Sequence, residues 1–249
     1  MNFWQSIILG AVQGFTEFLP VSSSGHLAIV GSLFGRINQG LTFEILLHLA
    51  TLIAVIYVYR RRIKEINFKF LLLLVVASIP AGIVGLLFSD AVESAFSSPL
   101  LIGIAFLFTG TVLYFVNRLP EGKKDSVGYK EAIGMGLAQA IAVLPGVSRS
   151  GMTIAAGVAL GLKREEAAAF SFIMSVPVIA GAGLLEIKDI FSHGASGFGF
   201  SLLISFLAAI ITGILAINLV RQLLKEKNFN YFSYYLWTIG FLTIIASLF

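Results

Sequence analysis

The chain has 249 residues, of which 57% are hydrophobic and only 12% are charged, and its mean hydropathy is +0.93. So much apolar surface excludes a water-soluble globule and predicts an integral membrane protein. Cysteine is absent, which excludes disulfide frameworks and thiolate metal sites. The net charge is only +4, and we expect the partners to be membrane lipids and not nucleic acid.

The first apolar region, residues 3–34, is interrupted near its middle by the stretch FLPVSSSGH. The residue before a proline is disfavoured in helical geometry, so a short helix should end at Leu19, and Ser22 can cap the next one. Non-helical backbone at membrane depth is tolerated only where it is buried in protein or lines a water-filled cavity. We therefore interpret residues 3–34 as a re-entrant hairpin that enters and leaves the membrane on one side.

Six uninterrupted apolar runs follow, and a second interrupted region, 129–161, stands between the third and the fourth. That region is broken by LPGVSRSG, where Leu144 should end one helix and Ser148 can cap the next. The predicted fold is an all-α integral membrane protein with six transmembrane helices plus two re-entrant helical hairpins, about ten helices in total. The predicted spans are residues 41–59, 70–88, 99–116, 167–185, 199–220 and 231–248.

The basic residues support this arrangement of spans and hairpins. If the six runs cross and the hairpins do not, fourteen of the 17 lysines and arginines fall on one side, within residues 60–69, 118–130, 163–164 and 221–227. Arg36 and Lys188 fall on the other side, and Arg149 lies inside the second hairpin. Because basic loops stay in the cytoplasm, we expect both termini outside it.

The chain also contains an internal repeat. An offset of 126 residues places QGFTEFLPVSSSG (13–25) on QAIAVLPGVSRSG (139–151). The halves, 1–125 and 126–249, each hold one hairpin and three spans, an odd number of crossings, so the second half should be inverted relative to the first. We predict a single membrane domain with an inverted-topology repeat, whose broken helices meet near the midplane and form a site.

That site should attract an anion. Two helices that begin at the serines point unpaired N–H groups and positive dipole ends into one volume. Arg149, flanked by Ser148 and Ser150, adds a guanidinium that can grip phosphate or carboxylate through two parallel hydrogen bonds. An arginine at this depth costs roughly 2.5–3.5 kcal/mol on insertion scales, so it needs a partner or a ligand.

Other polar residues surround the same region. Glu17 can pair with Arg149, ligate a metal or accept a proton, and these roles are compatible at different stages of a cycle. His26 lies three and four residues after Ser23 and Ser22, on the same helix face. Glu44 and His48 form an i, i+4 pair that can support the site from the next span.

Together, QGFTE, FLPVSSSGH, the FE at the head of the next span and LPGVSRSGMT resemble the undecaprenyl-diphosphate phosphatase family, the bacitracin-resistance type of membrane phosphatase, along the whole chain. The resemblance implies removal of the terminal phosphate from a polyprenyl diphosphate carrier lipid used in cell-wall synthesis. It also implies a divalent cation, Mg²⁺ or Ca²⁺, and a site that opens toward the outer face of the bacterial cytoplasmic (inner) membrane.

The family's motifs can be transferred to this chain by position. Many relatives have glutamate where this chain has Gln13, so Glu17 must be the carboxylate that serves as metal ligand here. The transferred catalytic residues are Glu17, Ser23, His26 and Arg149, the phosphate-binding residues are Gln13, Ser22, Ser24, Gly146, Ser148, Ser150 and Thr153, and Glu44 and His48 lie behind them.

Three questions stay open at this point: the nucleophile, the class of function and the role of the glycines in the spans. The nucleophile is His26, Ser23 activated by His26, or a water for which His26 is the base. A transporter or channel for an anion or phospholipid would also use inverted repeats and broken helices, although it has no use for a reactive cluster beside Glu17. Glycines in the spans, such as Gly82 and Gly181, can pack helices within one chain or in a homodimer.

Overall fold

A computed structural model describes residues 2–35, 40–193, 199–226 and 229–248. This described part of the chain is all-helical, with no β-strand beyond one isolated bridge between Lys124 and Leu162. Its helices are α1 (Phe3–Phe18), α2 (Ser23–Leu33), α3 (Gly40–Val58), α4 (Arg60–Lys64), α5 (Phe68–Leu87), α6 (Ser89–Phe96), α7 (Pro99–Val116), α8 (Tyr129–Ile141), α9 (Arg149–Ala159), α10 (Arg164–His193), α11 (Phe200–Lys225) and α12 (Asn230–Ala246).

Each predicted span corresponds to one long helix. Three of these helices, α5, α7 and α11, are long and apolar enough to cross a membrane. Two short helices, α4 and α6, bring the number in the described residues to twelve, where the sequence predicted about ten. Both lie in connections between apolar runs, where hydropathy has no run to detect.

The two predicted breaks are present, with different local structure. Leu19 is the C-cap of α1, as predicted, whereas α8 ends at Ile141, three residues before Leu144. Ser148 caps α9, because its Oγ accepts a hydrogen bond of 3.1 Å from the Gly151 N–H. Ser22 precedes α2 but makes no side-chain cap, so that prediction was wrong.

The start of α8 lies next to the end of α9. Lys124 Nζ lies 2.5 Å from Glu131 Oε1, in the first turn of α8, and donates to the carbonyl of Leu160, just after α9, at 2.9 Å. At 1.5 Å per residue, the 13 residues of α8 and the 11 of α9 extend about 20 and 16 Å. Each is therefore shorter than the hydrocarbon core of a bilayer, about 30 Å.

The first helix of each broken region packs against a helix from the other half of the chain. Helix α1 packs along α11 and α8 packs along α5, while α7 packs along α12. Two glycines 126 residues apart make the close approaches: Gly10 lies against the backbone of Ser205 on α11, and Gly136 against the backbone of Ala77 on α5. The two halves are therefore interlocked, and the largest hydrophobic core contains residues of both.

Ion pairs join the polar connections at one end of the helices. Arg62 bonds to Glu166 through both guanidinium nitrogens, at 3.0 and 2.5 Å. This bond raises the pKa of Arg62 above its ordinary value. The other pairs are Lys163–Asp125, Arg164–Glu121 and Lys225–Glu165.

These pairs link segments that the charge pattern assigned to one side of the membrane. Of the two basic residues assigned to the opposite side, Arg36 lies outside the described residues, and the side chain of Lys188 is not described.

We predict that Gly10→Ala destabilises the protein. An added methyl group would collide with the Ser205 backbone, which cannot rotate out of the way as a side chain can. The expected loss is about 1–3 kcal/mol, the usual scale of overpacking. Gly82→Ala is the matched control: apart from the neighbouring backbone of its own helix, no described heavy atom lies within 4 Å of the added Cβ. It should raise stability slightly through helix propensity. Thermal unfolding in detergent measures both, and a Gly10→Ala variant as stable as Gly82→Ala would contradict the packing.

Candidate active site

The two breaks meet each other in the interior. Ser150 Oγ, in the first turn of α9, donates a hydrogen bond of 3.1 Å to the carbonyl of Leu19 at the end of α1. Gly146 has φ +87°, a conformation that favours glycine, and packs against the Ile102 backbone of α7. A Cβ on Gly25 would lie 3.2 Å from the Gly146 Cα. The start of α2 and the turn before α9 therefore face one another.

Glu17 is the centre of the polar contacts. Its side chain is only 7% exposed, yet four side chains bond to its two oxygens. Oε1 lies 2.5 Å from Arg149 Nη2. Oε2 accepts from Ser23 Oγ at 2.7 Å and from Gln13 Nε2 at 3.2 Å, and it lies 3.3 Å from His48 Nε2. An ionised carboxylate accepts all four bonds.

Arg149 is held from two sides. Besides Glu17, its Nη1 donates to the main-chain carbonyl of Ser171 on α10, at 3.2 Å. The ion pair that the sequence offered as one role of Glu17 is therefore formed, and it joins the two broken regions. A guanidinium bonded to one carboxylate oxygen and one carbonyl keeps N–H donors for a further anion.

His48 contacts Glu17 directly, although the sequence placed it only in a supporting role. Its Nδ1 faces the main-chain carbonyl of Glu44 at 2.8 Å, and its Nε2 faces the Glu17 carboxylate. Because both acceptors need a proton from the ring, this geometry favours the imidazolium. The two cations Arg149 and His48 then outnumber the one carboxylate bonded to them, Glu17, which suits an anionic ligand. Glu44 contributes its carbonyl and is not among the partners of Glu17.

His26 lies at the start of α2 with both ring nitrogens engaged. Its Nδ1 is 2.8 Å from the Ser22 carbonyl and its Nε2 is 2.7 Å from the Tyr235 hydroxyl, while the Phe106 ring lies 5.1 Å away. Ser22 has φ +71°, and this strained backbone directs its carbonyl at the imidazole. Within the described residues Ser23 bonds to Glu17 and makes no hydrogen bond to His26.

Apart from the bond of Ser150 to the carbonyl at the end of α1, the hydroxyls of the predicted phosphate motif are bonded within their own break or to α10. Thr153 Oγ1 bonds to the Arg149 carbonyl at 2.8 Å and to Ser171 Oγ at 2.6 Å. Ser148 Oγ caps α9 and lies 3.2 Å from Ser150 Oγ, and Ser22 Oγ lies 3.3 Å from Ser24 Oγ. Ser148, Ser150 and Thr153 therefore lie beside Arg149 at the start of α9, whereas Ser22 and Ser24 lie at the start of α2.

One buried oxygen in this cluster lacks a partner in the described part of the chain. Since the Glu17 carboxylate can only accept, the Gln13 amide must turn its NH₂ toward it, and among the described residues the buried Gln13 Oε1 has no hydrogen-bond partner. Among the described residues no three His, Cys, Asp or Glu side chains form a metal-binding group. A hard cation could instead use Glu17 and Gln13 as two oxygen ligands and take the rest from a phosphate ligand and water, as Mg²⁺ commonly does.

The sequence analysis missed two polar residues of the site, Tyr235 and Ser171. The 126-residue offset of the repeat could have pointed to Tyr235. Subtracting 126 from 235 gives Thr109, whose Oγ1 accepts from the Ser148 N–H at 3.3 Å. Tyr235 on α12 thus contacts the first break as Thr109 on α7 contacts the second.

Comparisons with known proteins agree with these motifs. The sequence profile of the family described as bacitracin resistance protein BacA matches residues 6–242. A protein of Methanosphaera stadtmanae named undecaprenyl-diphosphatase is 40% identical, with 99% of each chain covered. Proteins with the same name from Methanobrevibacter smithii and Alkaliphilus metalliredigens are 41% and 40% identical, over all of this chain and 99% and 100% of their own.

We predict that the preference between glycine and alanine differs at two neighbouring serines. At Ser22 the positive φ penalises any side chain, so Ser22→Gly should be more stable than Ser22→Ala by about 1 kcal/mol. At Ser24, inside α2, the order should reverse, because alanine is the better helix former. Thermal unfolding of the four variants tests this, and an alanine preference at both positions would show that Ser22 is not strained.

Proposed function

The chain belongs to the bacitracin resistance protein BacA family, and we propose that it hydrolyses undecaprenyl diphosphate to undecaprenyl phosphate and inorganic phosphate. The observation that carries the proposal is the buried pair of Glu17 and Arg149 at the junction of the two broken helices, with the Ser23 hydroxyl on the same carboxylate. Relatives with the diphosphatase name cover the full chain. The comparisons give no support to the anion or phospholipid transporter.

Binding of the diphosphate begins with competition for Arg149. A phosphate group offers the guanidinium more negative charge than a single carboxylate, so the substrate draws Arg149 away from Glu17. The excess of cations around Glu17, the positive ends of α2 and α9, and hydroxyls of Ser148, Ser150 and Thr153 complete the cradle. Phosphoryl transfer depends mainly on such positioning and charge neutralisation.

Loss of the guanidinium partner prepares Glu17 to accept a proton. The Ser23 hydroxyl already donates to Glu17 Oε2 at 2.7 Å. Attack by this oxygen, or by a water in its place, on the terminal phosphorus forms one P–O bond and breaks the bridging P–O bond, releasing undecaprenyl phosphate. If Ser23 attacks, water then hydrolyses the phosphoserine. Attack by His26 would first require its Nε2 to leave Tyr235, so the geometry favours the oxygen nucleophile.

A divalent cation, Mg²⁺ or Ca²⁺, is part of the proposal. Glu17 and the buried Gln13 Oε1 would hold it together with substrate oxygens. When bound, the ion would neutralise the negative charge of the diphosphate.

Three observations support six spans, two re-entrant hairpins and an inverted repeat of residues 1–125 and 126–249. Lys124 joins both ends of the second hairpin, α1–α11 matches α8–α5 across the halves, and the ion pairs gather the basic connections at one end. With that end in the cytoplasm, both termini and the site opening lie on the outer face of the bacterial inner membrane. The undecaprenyl phosphate that is formed is recycled for cell-wall synthesis, and we infer that this recycling confers bacitracin resistance.

The homodimer also stays part of the proposal. Gly183 packs on Leu49 within the chain, whereas Gly181 has open space around it and leaves surface for a second copy.

We predict that purified protein in detergent releases phosphate from a long-chain polyprenyl diphosphate with Mg²⁺ or Ca²⁺ and not with EDTA. His26→Ala should lower kcat at least roughly 100-fold and largely keep substrate binding, because the imidazole acts during proton transfer. Arg149→Ala should lose both turnover and binding.

Arg118→Ala is the matched control, since Arg118 lies over the Tyr114 ring, away from the site, and should keep wild-type turnover. Thermal unfolding shows whether each variant is folded. If Arg149→Ala does not fold, Arg149→Lys replaces it as the test of the guanidinium. Normal turnover by folded His26→Ala would refute the assignment of that residue. No release by folded wild type would return the transporter as the better reading.

The absence of cysteine makes the membrane topology directly testable. We predict that cysteines at the exposed positions Asn2 and Ser97 react with a membrane-impermeant maleimide in intact cells. Cysteines at Lys64 and Lys123 should react only after permeabilisation. Labelling of Lys123→Cys in intact cells would contradict the proposed orientation.

A further inference from the structure

The contact between His26 and Tyr235 joins residues 209 positions apart and is not explained by the phosphate cradle. Tyr235 lies on α12, and its oxygen is 2.7 Å from His26 Nε2. The two rings are also nearly parallel, with 13° between their planes and 5.6 Å between their centroids.

The opposite nitrogen of His26 determines the direction of this hydrogen bond. A carbonyl oxygen can only accept, so Nδ1, which faces the Ser22 carbonyl at 2.8 Å, carries the proton. In the neutral ring Nε2 then has a lone pair, and the Tyr235 phenol must donate to it. Two contacts thus specify one tautomer: the strained Ser22 backbone at one nitrogen and the tyrosine at the other.

The two residues differ in burial. Tyr235 is 45% exposed, whereas His26 is only 7% exposed. The imidazole is the group that would otherwise keep a buried, unpaired nitrogen.

Tyr235 is placed firmly against His26. Helices α7 and α12 approach so closely that a Cβ on Gly240 would lie 2.8 Å from the Gly103 carbonyl oxygen. Phe106, fully buried on α7, contacts the His26 ring at 5.1 Å. Helix α12 therefore belongs to the support of the site, although it carries none of the motif residues.

We propose that Tyr235 is a positioning residue for the phosphatase reaction: its hydroxyl holds His26 as the neutral Nδ1–H tautomer, with Nε2 as the nitrogen that takes up a proton. Glu17 accepts the proton of Ser23, and Nε2 accepts the proton of the water that then hydrolyses the phosphoserine. For this the Tyr235 O–H turns away from Nε2, and the Tyr235 oxygen then accepts from the new Nε2–H, so no covalent bond to the tyrosine forms or breaks. The kinetic part of this proposal rests on the proposed function, while the hydrogen bond itself does not.

The test compares Tyr235→Phe with Tyr234→Phe in the full-length protein. Tyr235→Phe removes the hydroxyl and keeps the ring that lies over His26. Tyr234 is the neighbouring tyrosine on the same helix, and its ring contacts are with Tyr114 and Trp237, so its hydroxyl is a matched control. We expect Tyr235→Phe to lower kcat for polyprenyl diphosphate roughly tenfold, the scale of one hydrogen bond, with KM within about twofold. Tyr234→Phe should change neither.

A second readout needs no substrate. The chain has three histidines, so ¹⁵N-histidine labelling with a His26→Gln reference spectrum assigns the His26 ring nitrogens. Wild type should show a protonated Nδ1 and a hydrogen-bonded, unprotonated Nε2. In Tyr235→Phe the Nε2 resonance should move toward that of a nitrogen without a donor, while Tyr234→Phe should match wild type.

The outcomes separate the two proposals. A lower kcat together with a shifted Nε2 resonance supports the positioning role. An unchanged spectrum, or a shifted spectrum with wild-type kcat, overturns it. If folded wild type releases no phosphate at all, the proposed function fails, and a shifted Nε2 resonance would still establish the bond between Tyr235 and His26.

Discussion

The buried pair of Glu17 and Arg149 is the interaction on which the rest of the structure depends. A guanidinium and a carboxylate in an apolar helical protein are costly unless each has hydrogen-bond partners. The protein meets this requirement with donors and acceptors from both broken regions and from α3 and α10. Because the partners come from separate segments, the pair can form only when both breaks meet. It therefore links folding of the interior to assembly of the anion site.

The breaks in the helices serve the same requirement. An unbroken helix presents side chains to the interior and keeps its N–H groups bonded within itself. By ending α1 at Phe18 and starting α9 at Arg149, the chain directs helix ends and carbonyls at the charged cluster. The strain at Ser22 has a related consequence, since it turns a carbonyl toward His26 and fixes the proton on one ring nitrogen. The breaks thus leave backbone N–H and carbonyl groups free to bond the site, whereas in a regular helix these groups are bonded to one another.

Interlocking of the two halves holds these groups in place. Helices α1 and α8 each pack on a helix of the other half, through glycines that allow backbone contact. The α7–α12 pair adds a third close packing, which places Phe106 and Tyr235 beside His26. A site made from both halves cannot be assembled by either alone. Glu17 and His26 come from the first half of the chain and Arg149 from the second.

The sequence alone determined the helical segments, both breaks and the residues around the charged cluster, because hydropathy, proline and buried charge act over short stretches of chain. The prediction placed the end of α8 three residues too late and gave Ser22 a cap that it does not make, because turn geometry leaves little trace in hydropathy. It also counted too few helices, because the short helices α4 and α6 lie outside the apolar runs. Only the tertiary structure decided that Ser23 bonds to Glu17, that His48 touches the same carboxylate and that Tyr235 holds His26. These contacts depend on how distant helices pack, and periodicity along one segment carries no information about that packing.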